Sequence, residues 1–530
     1  MDRNAVNAGT EMVIDRISSL PEDIVHHVMS LLSTVEVTRT SILSKRFNSI
    51  WSTFPVIDFD EYLFLIGTPS IDLRDQSKID EFLNFVDNSL QRRRSNISLK
   101  RFRLRVAFCY VKSDPRINRS IDFALESNVQ ELDLDIHLQN GLKYYNLPHR
   151  VLAAKSIKVL KLEGCNLGVQ DLILNCPLME DFRLKDCDGL KSIMVSTAKL
   201  LSLELDCCKE LERIEVDARN LQSFFFIPSR RSSVTKPCEI NLCACEFLKT
   251  LKVGGPSITD KWFECHVPKF TLLEMLSLDG CETLQKIKIS LQRLKSFELL
   301  RCLNIVDAEL DAPNLLSFTF CGWTPPSTPL ATLRCSDLLH ARVSWQPIAT
   351  TAKSSIASRN FLALFNHCEV LTLVCSISKH RRFLEELDGS WLPPLHDLKH
   401  LRVEIGYLVA SFKNWRDGCS VVPNWQPVKY TKLVDRLLQL CPHPETLVIA
   451  NDHLQMLIEF QYAGRAVEDN ADCCCRGWLR KCWRHDLKHV TLWRFKHNDQ
   501  ESLVKFFINN GKMLETITVD RKTFKVVQGK

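Results

Sequence analysis

Apolar residues at Leu20, Ile24, Val28, Leu31 and Leu32 step along the chain as one face of a helix. Pro21 opens that helix, and Glu22 and Asp23 occupy its first turn, where the helix dipole favours acids. The pattern returns in Leu43, Phe47, Ile50 and Trp51, and Pro55 closes it. Residues 15–60 thus predict a pair of short amphipathic helices. A segment this small buries little apolar surface by itself. Its Leu, Ile, Phe and Trp side chains need a partner, either elsewhere in the chain or on another protein. Further on, Ile79, Phe82, Leu83, Val86 and Leu90 mark another amphipathic helix, a candidate to cover them. Arg101, Arg103 and Arg105 then alternate with Phe102, Leu104 and Val106, the period of a strand with one basic face. That run reads as a nuclear-localisation or acidic-ligand patch, or as a solvated strand face; the solvated face is the preferred reading.

A longer rhythm takes over from here. ELDLDI, KVLKLEGC, EDFRLKDC, LSLELDCC, QSFFFI, KTLKVGG, EMLSLDGC, KSFELLRC and LSFTFCG share an L-x-L-like core. Indexed by the second core residue, the units stand at Leu134, Leu162, Leu184, Leu205, Phe226, Val253, Leu278, Leu299 and Phe320. Their steps are 28, 22, 21, 21, 27, 25, 21 and 21 residues. A period in the twenties with this character is the signature of leucine-rich repeats, in which each unit buries its apolar side only by stacking on its neighbours. Inside the central units Val195, Val216, Ile289 and Leu310 add a half-step of 10 or 11 residues. So short a half-step leaves little room for a helix, so short strands are expected on much of the outer side there. RSIDFALES and LPHRVLAA are helical candidates nearer the N-terminus. TPPSTP at 324–329 breaks the rhythm. It resumes loosely in EVLTLVCSI, LKHLRVEI, the helix TKLVDRLLQLC and ETLVIA, and the chain closes on strand, helix and strand in LKHVTLWRF, ESLVKFFINN and MLETITVD.

Composition narrows the chemistry. The net charge of +6 is small for 530 residues, so nucleic acid is not the expected partner. A polar N-terminus argues against a signal peptide, and no apolar run reaches membrane-spanning length, so no membrane partner is expected. The 22 cysteines are scattered, and Cys165, Cys187, Cys281 and Cys302 fill apolar-type slots. Buried free thiols in a reducing compartment, nucleus or cytoplasm, are the expectation. The metal-like cluster is Cys473, Cys474, Cys475, Cys482 and His485, but three adjacent cysteines do not converge on one ion and no C-x-x-C pair flanks them. Cys243 and Cys245 alternate as packing residues do, and the adjacent His26 and His27 read as solvated or partner-facing. Glu204, Asp206 and Glu215 fall on solvated strand faces. No phosphate loop, dinucleotide fingerprint, serine-nucleophile motif or local cysteine–histidine signature occurs. The sequence assigns no catalytic residue, no metal site and no cofactor.

LPEDIV followed by TSILSKRF and Trp51 resembles the F-box of plant F-box/leucine-rich-repeat proteins, and the C-terminal strand–helix–strand resembles their FBD region. Ser33 stands where the family usually has proline, Val35 where lysine is common and Phe47 where tryptophan is usual. Loss of the turn proline is expected to slacken the connection after the first helix. The resemblance implies an α+β repeat fold: a small helical F-box domain followed by a curved leucine-rich-repeat solenoid with strand-rich central repeats. The expected divisions are a disordered 1–14, an F-box at 15–60, a helical linker at 61–96 and a solenoid at 97–452 interrupted near 321–360. An insertion at 453–484 and an FBD-like cap at 485–522 follow. It also implies a substrate receptor that is not itself an enzyme, in an SCF-type (Skp–cullin–F-box) ubiquitin ligase. Leu20, Pro21, Ile24, Val28, Leu31, Leu32, Leu43, Phe47 and Trp51 would form or support the surface facing a Skp-family adaptor, and through it a cullin. An unknown protein substrate would lie against outward strand positions near 180–320 or the loops 324–329 and 411–427. The alternative is a repeat scaffold with a vestigial F-box and no role in ubiquitination.

Overall fold

The computed structural model describes residues 20–42, 44–65, 76–93, 97–109, 113–138, 144–174, 176–229, 237–322, 338–345, 352–376, 393–406, 429–451, 454–464 and 482–526. The chain forms two compact units, residues 1–221 with 228–233 and residues 222–227 with 234–530.

The first unit opens with three helices where the periodicity predicts two: α1 (Glu22–Ser30), α2 (Thr34–Thr40) and α3 (Lys45–Thr53). The sequence TVEVTRT is poor in strong helix formers. A capping box supports it: the Ser33 hydroxyl accepts from the Glu36 N–H while the Glu36 carboxylate accepts from the Ser33 N–H at 2.9 Å. The position expected to slacken the connection is thus the cap that starts the next helix. Val25, Met29, Val37, Ile50, Trp51 and Phe54 make a small core, with Leu20, Phe47 and Val56 packed against it.

After α3 the chain enters the strand β1 (Val56–Asp60), then α4 (Glu61–Leu65), α5 (Gln76–Gln91), β2 (Arg101–Cys109), α6 (Pro115–Glu126) and β3 (Glu131–Leu138). β1 pairs in parallel with β2, and β2 with β3. The N-terminal helices are therefore tied covalently and by hydrogen bonds to the first rung of a ladder. It continues through the strands Val159–Glu163, Asp181–Lys185 and Ser202–Asp206. The residues indexed from the sequence stand opposite one another, Leu134 on Leu162, Leu162 on Leu184 and Leu184 on Leu205. All are buried. LPHRVLAA forms only a 3₁₀ turn at His149–Val151.

The second unit carries the same register. Phe226, Val253, Leu278, Leu299, Phe320, Val343, Leu373, Val403 and Ile449 align across successive parallel strands. The interruption expected near 321–360 is not one in the ladder: the strand His340–Trp345 keeps it in step between Ser317–Gly322 and Val370–Ser376. The 453–484 stretch, expected as an insertion, opens with the strand Leu454–Tyr462, antiparallel to both Thr446–Asn451 and Leu487–Trp493. The C-terminal strand–helix–strand follows as Leu487–Trp493, His497–Asn510 and Thr516–Val519.

The shortest repeats return behind the main strands as strands. Where the step is 21 residues the return is a short strand: Ser192–Val195 paired with Arg213–Val216 in the first unit, Lys286–Ser290 paired with Asp307–Asp311 in the second. Where it is 25, between Val253 and Leu278, there is room for the helix Asp260–His266. Cys165, Cys187, Cys281 and Cys302 are buried thiols just after main strands. Cys187 and Cys302 donate to the carbonyls of Leu162 and Leu278, and burial pushes the Cys187 thiol up to about 12.

Candidate functional site: an outward apolar stripe on the first helix

α1 carries two apolar stripes one residue apart. Val25 and Met29 point into the core. Ile24, Val28, Leu31 and Leu32 point out and remain 47, 46, 75 and 39% exposed. Apolar residues at i, i+4 and i+7 that face water form the continuous patch a partner covers. Leu20 and Pro21 lie at the start of the helix, Leu20 half-buried against the core and Pro21 exposed. Phe47 is half-buried against the same core, and Trp51 is buried within it. Trp51 supports the helices from within, and Phe47 lies against them with part of its side chain still exposed. Leu43 lies outside the described residues. Ile42, which the sequence reading passed over, is 78% exposed in the turn between α2 and α3.

The stripe rests on a fixed frame. Glu22 accepts from the Thr53 hydroxyl at 2.8 Å, the Arg46 guanidinium donates to the Leu20 carbonyl, and the Thr34 hydroxyl accepts from the Asp58 N–H at 2.9 Å. His26 faces inward, its Nε2 3.3 Å from the Ile50 carbonyl and its ring against Phe54, whereas His27 is exposed. Arg93 is the clamp that periodicity misses. It sits just beyond α5, donates to the Trp51 carbonyl at 2.8 Å and to the Phe54 carbonyl, and lies 4.5 Å over the Trp51 ring. Burial lowers this guanidinium to about 10, still charged at neutral pH. α5 turns Ile79, Phe82, Leu83, Val86 and Leu90 into the unit's interior, packing on α4 and α6, and leaves the α1 stripe open.

The basic strand face has a different fate. Across the register, Asp58, Arg103, Asp133 and Lys161 stand in one row, and Asp60, Arg105, Asp135, Glu163 and Lys185 in the next. Arg103 lies 3.6 Å from both Asp58 and Asp133, and Arg105 3.4 Å from Asp60 and 3.1 Å from Asp135. The arginines are spent on their own neighbours, which removes the acidic-ligand reading. Burial raises Asp58 and Asp133 above their ordinary value against the pull of Arg103. For Glu163 burial acts the same way, but His137 and Lys185 outweigh it and hold the carboxyl at about 2. Asp135, His137 and Glu163 bring three possible metal donors within 4.8 Å. Arg105 and Lys185 already balance the two carboxylates, so the cluster is complete as an ion-pair network.

Among the cysteines, Cys473, Cys474 and Cys475 lie outside the described residues, as do the loops 324–329 and 411–427. Cys482 Sγ stands 3.3 Å from His485 Nδ1, buried. Cys245 is a packing residue as expected, but Cys243 is exposed, with its sulfur 3.7 Å from His266 Nε2.

Comparison with known proteins matches residues 17–58 to the F-box domain and residues 232–526 to the leucine-rich-repeat domain described as At1g61320/AtMIF1, LRR domain. Three Arabidopsis thaliana proteins illustrate the similarity. The putative F-box/LRR-repeat protein At3g18150 is 26% identical, over 46% of this chain and 56% of its own length. The F-box/LRR-repeat protein At3g58900 is 30% identical, over 41% of this chain and 74% of its own. The putative F-box/FBD/LRR-repeat protein At4g03220 is 27% identical, over 42% of this chain and 49% of its own. The chain thus spans about half the length of two of these relatives and three quarters of the other. With an F-box fused to a repeat ladder that fills more than half of its length, the chain belongs to the plant F-box/leucine-rich-repeat family.

Proposed function

We propose that this protein is the substrate-recognition subunit of an SCF-type ubiquitin ligase. The observation that carries the reading is the outward stripe of Ile24, Val28, Leu31 and Leu32, held on a frame that does not need it for its own core. A contiguous exposed aliphatic patch on a fixed helical frame marks a protein–protein interface, whose buried centre is apolar. A Skp-family adaptor would cover it and bring the cullin. The repeat ladder would hold the target, and catalysis would come from proximity, the target lysine being kept at high effective concentration near the ubiquitin carrier. In this reading the chain carries no catalytic residue of its own.

The test is immunoprecipitation from plant cells under proteasome inhibition, comparing the wild type with Leu31→Asp/Leu32→Asp. Adaptor, cullin and ubiquitin-modified target should accompany the wild type, and the variant should keep the target while losing adaptor and cullin. A wild type that brings down a target without adaptor or cullin would instead make the protein a repeat scaffold outside ubiquitination.

A further inference from the structure

One exposed thiol is set apart by its surroundings. Cys243 follows the strand Glu239–Asn241, and its N–H donates to the Asn241 side chain at 3.1 Å, which fixes the turn. Facing it is the end of the helix Asp260–His266, started by the Thr259 cap and tied back to the strand by the Trp262 indole N–H donating to the Ile240 carbonyl at 2.9 Å. The His266 ring stacks on Trp262 with centroids 4.6 Å apart. Its Nδ1 lies 2.9 Å from the Trp262 carbonyl. A carbonyl only accepts, so Nδ1 carries the proton and Nε2 presents a free lone pair. That lone pair lies 3.7 Å from Cys243 Sγ, and the Lys269 ammonium lies 3.8 Å from the same sulfur. Burial, helped by Lys269, lowers His266 below its ordinary value, so at neutral pH the ring is the unprotonated form that takes a proton.

We infer that Cys243, His266 and Lys269 form a reactive-thiol site, and that Cys243 is modified by hydroperoxides. His266 Nε2 takes the thiol proton and Lys269 stands opposite the thiolate charge, the cationic setting in which cysteines are nucleophilic. The thiolate attacks the terminal oxygen of the hydroperoxide. An S–O bond forms as the O–O bond breaks, and the sulfur is oxidised by two electrons to the sulfenic acid. The alkoxide or hydroxide that leaves takes the proton back from His266 and departs as alcohol or water. This site is separate from the α1 stripe and does not depend on what that stripe binds. Cys265, also exposed and next to His266 in the same helix, is an internal reference.

The experiment is site-resolved labelling of the full chain with iodoacetamide at neutral pH, read by peptide mass spectrometry. Cys243 should react on the order of tenfold faster than Cys265, because a base and an ammonium stand at its sulfur. Lys269→Met changes an exposed side chain, and His266→Gln removes the base; each should bring the Cys243 rate down toward that of Cys265. Lys269→Met keeps the test decisive if the buried His266 position does not tolerate glutamine. Stoichiometric hydrogen peroxide followed by dimedone should place the adduct on Cys243. Equal alkylation of Cys243 and Cys265 in the wild type, or a Cys243 rate unchanged in the folded variants, would overturn the assignment.

Discussion

The outward stripe of α1 and the outward face of the β1–β2–β3 ladder both meet solvent, but they meet it in opposite ways. On the strands every arginine of the 101–105 run has a carboxylate on a neighbouring strand, and Arg103 and Arg105 have one on each side, so the charges of this face are met within it. On α1 and just after it, four aliphatic side chains project, and among the described residues they stay 39–75% exposed. A charge run looks like a binding patch in sequence, while an aliphatic run looks like core. The structure decides between the readings that the sequence leaves open for each run, because what marks a partner surface is chemistry left unmet after the chain has folded.

The largest effect expected from breaking this comparison comes from the frame. Trp51→Ala should cost about 3–5 kcal/mol, since it empties the centre of a small core and removes the ring under Arg93. Chemical denaturation should show the N-terminal helices melting ahead of the ladder. Arg93→Ala follows at about 2–3 kcal/mol, because two carbonyls lose a charged donor and the Trp51 ring loses its cation. Ser33→Ala removes the cap of α2 and should cost about 1 kcal/mol by the same measurement.

The ladder face predicts a pH dependence instead. Glu163 is held below its unfolded value, so its contribution is present at neutral pH and is lost as pH falls through about 4.5 toward about 2. Asp58 and Asp133 are raised, so protonating them relieves a cost, and their contribution runs the other way as pH falls. Glu163→Gln should therefore flatten the acid limb of the stability curve. The smallest effect on stability is expected at the stripe: Ile24→Glu should shift unfolding by less than about 0.5 kcal/mol, as exposed positions do.

Much of this was legible in the residues. The L-x-L frames predicted the register of the ladder, because inward side chains of a parallel strand must stack on their equivalents. The half-steps of 10 and 11 residues predicted strands behind the 21-residue repeats, because a helix does not fit. α2 was missed because Thr34, Val35, Val37, Thr38 and Thr40 argue against a helix by propensity, although its Ser33–Glu36 box was present in the sequence. Periodicity found the Ile24 and Val28 stripe but could not say that Val25 and Met29, one residue on, were the side facing in. His340–Trp345 was passed over because its A-x-V core carries no leucine. Arg93 and the Cys243–His266 pair depend on residues far apart in sequence, and no local spacing announces them.

The most direct measurement is a calorimetric titration of a purified Skp-family adaptor into the wild type and into Ile24→Glu/Val28→Glu, with unfolding recorded for both. The wild type should bind saturably with a negative heat-capacity change, the mark of apolar burial, and the double variant should keep its stability and bind nothing. Equal affinity in the two proteins, or no binding by the wild type, would contradict the account.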